Sequence, residues 1–211
     1  MKTLLTGIFL LLMAGCSLTR EVPPPVTYHL QTDGVSPKTM HETCTKKVVK
    51  VALVSTPKWL KGTEILYSDT HGRMYRYTRA RWQIPPADQL QQITENALAD
   101  SGVFRAVVPY RSLAKYDWAL EVRLEAMTQR IADDGSAETD LRLYAVLVER
   151  YTRHVLAEKR FDYRARQEKG DAESAVAAWS EAAGKFETDL PAWLENVCKT
   201  VPAKDRSDVD L

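Results

Sequence analysis

From Trp118 onward the chain alternates with a period of two. Trp118, Leu120, Val122, Leu124 and Ala126 are interleaved with Ala119, Glu121, Arg123 and Glu125. Successive side chains of a strand point to opposite faces, so this pattern describes a sheet with one covered face and one wet face. The pattern returns at Leu141, Leu143, Ala145 and Leu147, after a turn at Asp133-Asp134-Gly135. A third member, Val155–Tyr163, follows Arg153-His154. The three segments predict an antiparallel meander, and its apolar face needs a cover.

Helices are the available cover. Pro85-Pro86 can open one, Asp88 complements its positive end and Ser101-Gly102 stops it. Leu90, Ile93, Ala97 and Leu98 share a face at helical spacing. A second helix carries Ala175, Val176, Trp179, Ala182, Ala183 and Phe186, with Gly170-Asp171 as its cap. Pro191 does not belong in an unbroken helix interior. It predicts either a kink or a second short helix capped by Asp189. Upstream, Val26–Gln31 and Lys47–Ser55 read as strands, and Val103–Val108 as a short one. Ile65–Tyr67 and Met74–Tyr77 form a hairpin around Asp69-Thr70-His71-Gly72. The expected fold is a single α+β domain, a mainly antiparallel sheet with two main helices packed on one face.

The N-terminus has a different logic. Lys2 precedes an apolar run from Leu4 to Met13, and two small residues, Ala14 and Gly15, close it. That is the layout of a secretory signal peptide, far short of the ~20 apolar residues of a membrane-spanning helix. Cys16 follows directly, and the stretch resembles the lipobox of bacterial lipoproteins, with Met13 standing where leucine is usual. The resemblance implies cleavage after Gly15 and acylation of Cys16. Ser17, rather than Asp, implies sorting to the outer membrane. The other reading is an ordinary secreted protein with a free cysteine. Residues 1–15 are thus expected to be removed, 16–25 to form a tether stiffened by Pro23-Pro24-Pro25, 26–200 to fold in the periplasm, and 201–211 to be a disordered tail.

Removing residues 1–15 takes away Lys2 alone, so the 29 basic residues fall to match the 28 acidic ones. A neutral chain without a basic stripe excludes the common electrostatics of nucleic-acid binding. With Cys16 acylated, Cys44 and Cys198 remain, and an even pair in an oxidising compartment reads as a candidate disulfide. It would close a loop of about 150 residues. The alternative is two unpaired thiols.

No catalytic constellation emerges. His29, His41, His71 and His154 lie far apart, whereas a zinc site needs three or four convergent ligands. Ser112-Leu113-Ala114-Lys115 matches Ser-x-x-Lys, but no Lys-Thr-Gly accompanies it. No cofactor and no metal are expected. Trp59, Tyr67, Tyr75, Tyr77 and Trp82 are interleaved with Arg73, Arg76, Arg79 and Arg81. This stretch is either half core and half solvated edge, or a partner-binding surface rich in the residues that dominate interfaces. The candidate partner-binding set is Trp59, Tyr75, Tyr77, Arg79, Arg81 and Trp82.

The order of these features resembles the ABC-type transport auxiliary lipoproteins, the PqiC-like family. Tyr28-His29-Leu30 matches its early Tyr-x-Leu strand, Val48–Leu60 its valine-rich strand ending in proline, Arg81-Trp82 its entry to the first helix, and Ala172–Leu194 its alanine-rich last helix. The cysteine pair and Lys46-Lys47 are not expected of every member. The resemblance implies a non-catalytic subunit, lipid-anchored on the periplasmic face of the outer membrane. Its partners would be ABC or MCE-domain proteins that transport lipid, and a homo-oligomeric ring is an accompanying expectation. A cell-envelope assembly lipoprotein, acting on an outer-membrane protein or a cell-wall synthase, is the alternative.

Overall fold

A computed structural model describes residues 24–34 and 44–201. The expected signal peptide, Cys16, most of the tether, His41 and the tail beyond 201 lie outside the described residues. In chain order the elements are β1 (Val26–Tyr28), β2 (Val48–Val51), a 3-10 turn (Lys58–Leu60), β3 (Glu64–Ser68) and β4 (Met74–Trp82). There follow α1 (Pro86–Ser101), β5 (Ala106–Val108), β6 (Trp118–Ile131), β7 (Ala137–Glu149), β8 (Val155–Gln167) and α2 (Ala172–Thr200).

The meander is present and forms the long half of the sheet. β6 pairs with β7 and β7 with β8, both antiparallel, with Leu120 opposite Leu147 and Leu143 opposite Phe161. A bulge between Leu124 and Ala126 shifts the register of β6. The inward set therefore passes from Trp118, Leu120, Val122, Leu124 and Ala126 to Met127 and Gln129, all buried. The other half is built of short strands. β2 runs parallel to the start of β6, and β3 runs parallel to its end, with Tyr67 opposite Gln129. β5 extends the sheet from β2, while β4 and β1 extend it from β3. The sheet is α+β in class with eight strands, its long ladders antiparallel and several short ones parallel.

Both helices cover one face. Trp82 packs on Trp179 with ring centroids 5.7 Å apart, and Phe161 meets Phe186 edge-on at 5.1 Å. α1 begins at Pro86 behind Pro85, and ends on Gly102 in the left-handed region (φ 66°), where a side chain would be strained. The Asp171 carboxylate accepts from the Ser174 backbone N–H at 2.8 Å and caps α2.

Three expectations change. β1 stops at Tyr28 rather than Gln31, because the next backbone groups leave the sheet. Leu30 N–H donates to Gln89 Oε1 (2.7 Å) and Gln31 N–H to Ser180 Oγ (3.1 Å). β2 likewise ends at Val51. Val54 N–H goes to Gln91 Oε1 (2.7 Å), and Ser55 rejoins β6 only as a single bridge to Arg123. Finally, of the two alternatives at Pro191 the second short helix falls, since α2 runs through Pro191 as one helix. Asp189 caps no second helix; it accepts a hydrogen bond from the Tyr163 hydroxyl at 2.9 Å. An interior proline costs about 3 kcal/mol. Phe186, Leu190 and Leu194 around it are fully buried, at roughly 1.5–3 kcal/mol each, so packing outweighs the missing bond.

The expected cysteine pair is joined. Cys44 and Cys198 form a disulfide with Cα atoms 5.7 Å apart, 154 residues apart in sequence. Both are buried, so the bridge ties the approach to β2 to the last turns of α2 from inside.

Candidate functional site

The aromatic and basic stretch folds as the β3–β4 hairpin and the turn before it. Tyr67 stacks on Tyr75 (centroids 5.3 Å) and leans on Tyr77 (4.7 Å). The Tyr77 hydroxyl donates to Gln129 Oε1 at 2.6 Å and lies 3.3 Å from the Gly170 carbonyl. Burial first, then the nearby charges of Asp171 and Tyr67, push this hydroxyl well above the ordinary phenol range, so it stays a donor. At the tip, Asp69 accepts from the His71 and Arg73 backbone N–H groups, both at 2.9 Å, and pairs with the Arg73 side chain.

Of the six candidate contact residues, the structure divides the set. Tyr75 is 38% exposed, and Arg79 and Arg81 stand exposed along β4. Tyr77 is half-buried in the tyrosine stack. Trp59 is half-exposed on the 3-10 turn that precedes β3. Trp82 is not a surface residue: it is 2% exposed and belongs to the core against Trp179. Its position follows from β4 register. Glu64 faces Arg81 but Leu66 faces Arg76, so extra residues of β4 loop out between them and change which side chains face inward.

A second polar surface lies on the uncovered face of the meander. Tyr144 is flanked by the guanidinium groups of Arg123 (5.0 Å) and Arg160 (5.3 Å), both of which bind Glu125. The hydrogen bond from Arg160 is the main reason the Glu125 carboxyl lies below its usual range. The alternation showed that this face is wet. The pairing across it depends on register, which the alternation does not contain. A groove of about 990 Å³ runs between residues 27–34 and the outer side of α2, lined by groups such as Gln31, Asp33, Ser180, Glu181 and Lys185.

The described histidines, His29, His71 and His154, are exposed and separate. Among the described residues no three ligand-type side chains converge on one point. Ser112 lies in a loop, where its Oγ accepts from the Ala114 N–H at 3.1 Å. No helix among the described residues is long and apolar enough to cross a membrane.

The described residues form an α+β body that carries an aromatic and basic hairpin at its surface. The family model of the ABC-type transport auxiliary lipoprotein component matches residues 28–190, and the chain belongs to that family. A solved structure from Xanthomonas campestris, of the family DUF330, is similar over 84% of this chain and 96% of its own, at 20% identity and a TM-score of 0.66. An uncharacterized protein of known structure shares 15% identity over 82% of this chain and 99% of its own, with a TM-score of 0.61. A hypothetical protein of Chlamydia trachomatis follows at 8% identity and a TM-score of 0.50, over 72% of this chain and 98% of its own. At these identities the structures share the fold. No match was found among curated proteins.

Proposed function

We propose that this chain is an outer-membrane-anchored periplasmic lipoprotein, a non-catalytic auxiliary subunit of an ABC/MCE-type intermembrane lipid transport system. The family match over residues 28–190, from β1 into α2, carries the reading. Cleavage after Gly15 would leave Cys16 as an acylated N-terminus. Each buried CH₂ contributes about 0.8 kcal/mol, so two or three chains hold the protein on a bilayer where one would not. Residues 16–25 then act as the tether and 26–200 as the docking body. Its role is positional. Tyr75, Arg79 and Arg81, with Trp59 nearby in sequence, form the surface on which the transport partner sits. Tyrosine, tryptophan and arginine are the residue types that most often carry interface binding energy.

The test is a crosslinking pull-down of the native lipoprotein from envelope membranes, beside Cys16→Ala and Tyr75→Ala/Arg79→Glu variants. An MCE-domain or ABC component should be recovered with the native chain and lost with either variant. Recovery only of outer-membrane assembly or cell-wall synthesis proteins would replace this reading with that of an envelope assembly factor.

A further inference from the structure

The end of the sheet where β6 and β8 begin carries a feature that the binding surface above does not use. Two connections meet there: residues 109–117 between β5 and β6, and residues 150–154 between β7 and β8. At the tip of the first, Leu113 is fully exposed, while Tyr151 of the second and Val155 at the start of β8 are 57% and 58% exposed. The exposure of Leu113 is built in. Ser112 N–H donates to the Pro109 carbonyl (2.9 Å), Lys50 Nζ donates to the Ser112 carbonyl (3.1 Å), and Ala114 N–H donates to Ser112 Oγ (3.1 Å). Arg150 N–H donates to the Asp117 carbonyl (3.0 Å) and fastens one connection to the other.

Cations surround this tip. The Arg150 guanidinium lies 4.6 Å from the Tyr116 ring and 5.3 Å from Tyr151, Lys50 lies 5.2 Å over Tyr116, and Arg111 covers Tyr110 at 5.1 Å. Lys115 and Arg153 are exposed beside them. The acids flanking the two connections are engaged with the chain itself: Asp117 Oδ2 accepts from Val48 N–H (2.6 Å), and Glu149 Oε2 accepts from the backbone and hydroxyl of Thr152. The opposite end of the sheet has the reverse sign. Its turns carry Asp69, Asp133, Asp134, Glu168 and Asp171 against Arg73 and Lys169.

We propose that the basic end touches the headgroup layer of a bilayer containing anionic phospholipid, with Leu113 entering the interface. Tyrosine rings and snorkelling cations around an apolar tip are the composition of interfacial contact. Each Lys or Arg held near an anionic surface contributes about 1 kcal/mol. A protruding tip offers little of the ~800 Å² per partner that a stable protein interface buries. The inference rests on the anchor reading, which brings a bilayer within range. The ten steps from Cys16 to Val26 span at most about 35 Å, comparable with the roughly 45 Å length of a 14-residue strand such as β6. An acylated Cys16 would thus keep Val26 within about 35 Å of a bilayer.

The test uses the full lipidated chain in phosphatidylcholine vesicles, with and without phosphatidylglycerol. Leu113→Cys carries a spin label, the other cysteines being acylated or disulfide-bonded; Asp133→Cys labels the opposite end. In anionic vesicles the label at 113 should lose accessibility to a water-soluble relaxation agent several-fold. The protection should vanish in neutral vesicles, at high salt, and in an Arg111→Glu/Lys115→Glu background, while the label at 133 stays in water throughout. If the protein floats with anionic vesicles but position 113 remains fully accessible, the proposal is overturned and an acidic protein partner becomes the occupant. If the chain does not float at all, the anchor reading has failed and this inference falls with it.

Discussion

Two aromatic residues of β4 separate the roles that one strand plays. Trp82 is enclosed by α2 through Trp179, and truncating a buried tryptophan costs about 3–5 kcal/mol. Tyr75, stacked on Tyr67 at the surface, has water to fall back on. Trp82→Ala should therefore lower the urea midpoint strongly. Tyr75→Ala should shift unfolding by less than about 1 kcal/mol, while weakening capture of the transport partner. Equal losses of stability would show that the tyrosine stack is core. Gly170 is constrained in another way. A Cβ there would lie 2.7 to 3.0 Å from three Ile131 side-chain carbons, and its carbonyl faces Tyr77. Gly170→Ala should cost about 1–3 kcal/mol by overpacking, read as a lower thermal midpoint.

At the scale of elements, helix capping gives a pH-dependent term. The backbone hydrogen bond from Ser174 is the main cause of the lowered pKa of Asp171. A depressed carboxyl pKa contributes stability above its unfolded value, and that stability is lost as pH falls through the folded one. Asp171→Ala should thus cost about 0.5–2 kcal/mol at neutral pH, and the gap between variant and native should close once the medium is acid enough to protonate the carboxylate. Chemical denaturation across the acid range checks this; a gap independent of pH would mean the cap acts without its charge. The elements also differ in how plainly the chain announces them. β6 and β7 are legible because each separates a dry face from a wet one over many residues. β1 and β2 are shorter than their composition implies, since Gln89 and Gln91, far along the chain, take over their backbone groups. Pro191 leaves a kink and a second short helix as alternatives, because local propensity says nothing about the burial of Phe186, Leu190 and Leu194. For the candidate surface, composition located the aromatic and basic stretch. It did not identify which rings face outward, because that depends on the irregular β3–β4 register. Leu113 and Tyr151 escaped notice since a lone apolar residue in a polar loop has no periodicity.

Across the whole molecule, the Cys44–Cys198 bridge is the longest-range covalent constraint. With its cysteines 154 positions apart in sequence, the chain-entropy model assigns it about 5 kcal/mol, and removal of native bridges usually costs about 2–5 kcal/mol. Cys44→Ser/Cys198→Ser should lower the denaturation midpoint accordingly, and reductant should do the same to the native chain but not to the variant. No difference between the two would mean that the buried packing around α2 is sufficient alone.

The same bridge decides how the molecule bears mechanical load. Tension arriving from the N-terminal side enters through β1, held to β4 by a three-residue parallel ladder. The next fastenings are the single bonds from Leu30 to Gln89 and from Gln31 to Ser180. At Cys44 the sulfur link joins the chain to the final helix, so load arriving there bypasses the loop between the two cysteines. β1 is thus the part that yields. A tug that stripped it away would lengthen the N-terminal segment by several residues, while the span from Cys44 to Cys198 would stay closed by the bridge.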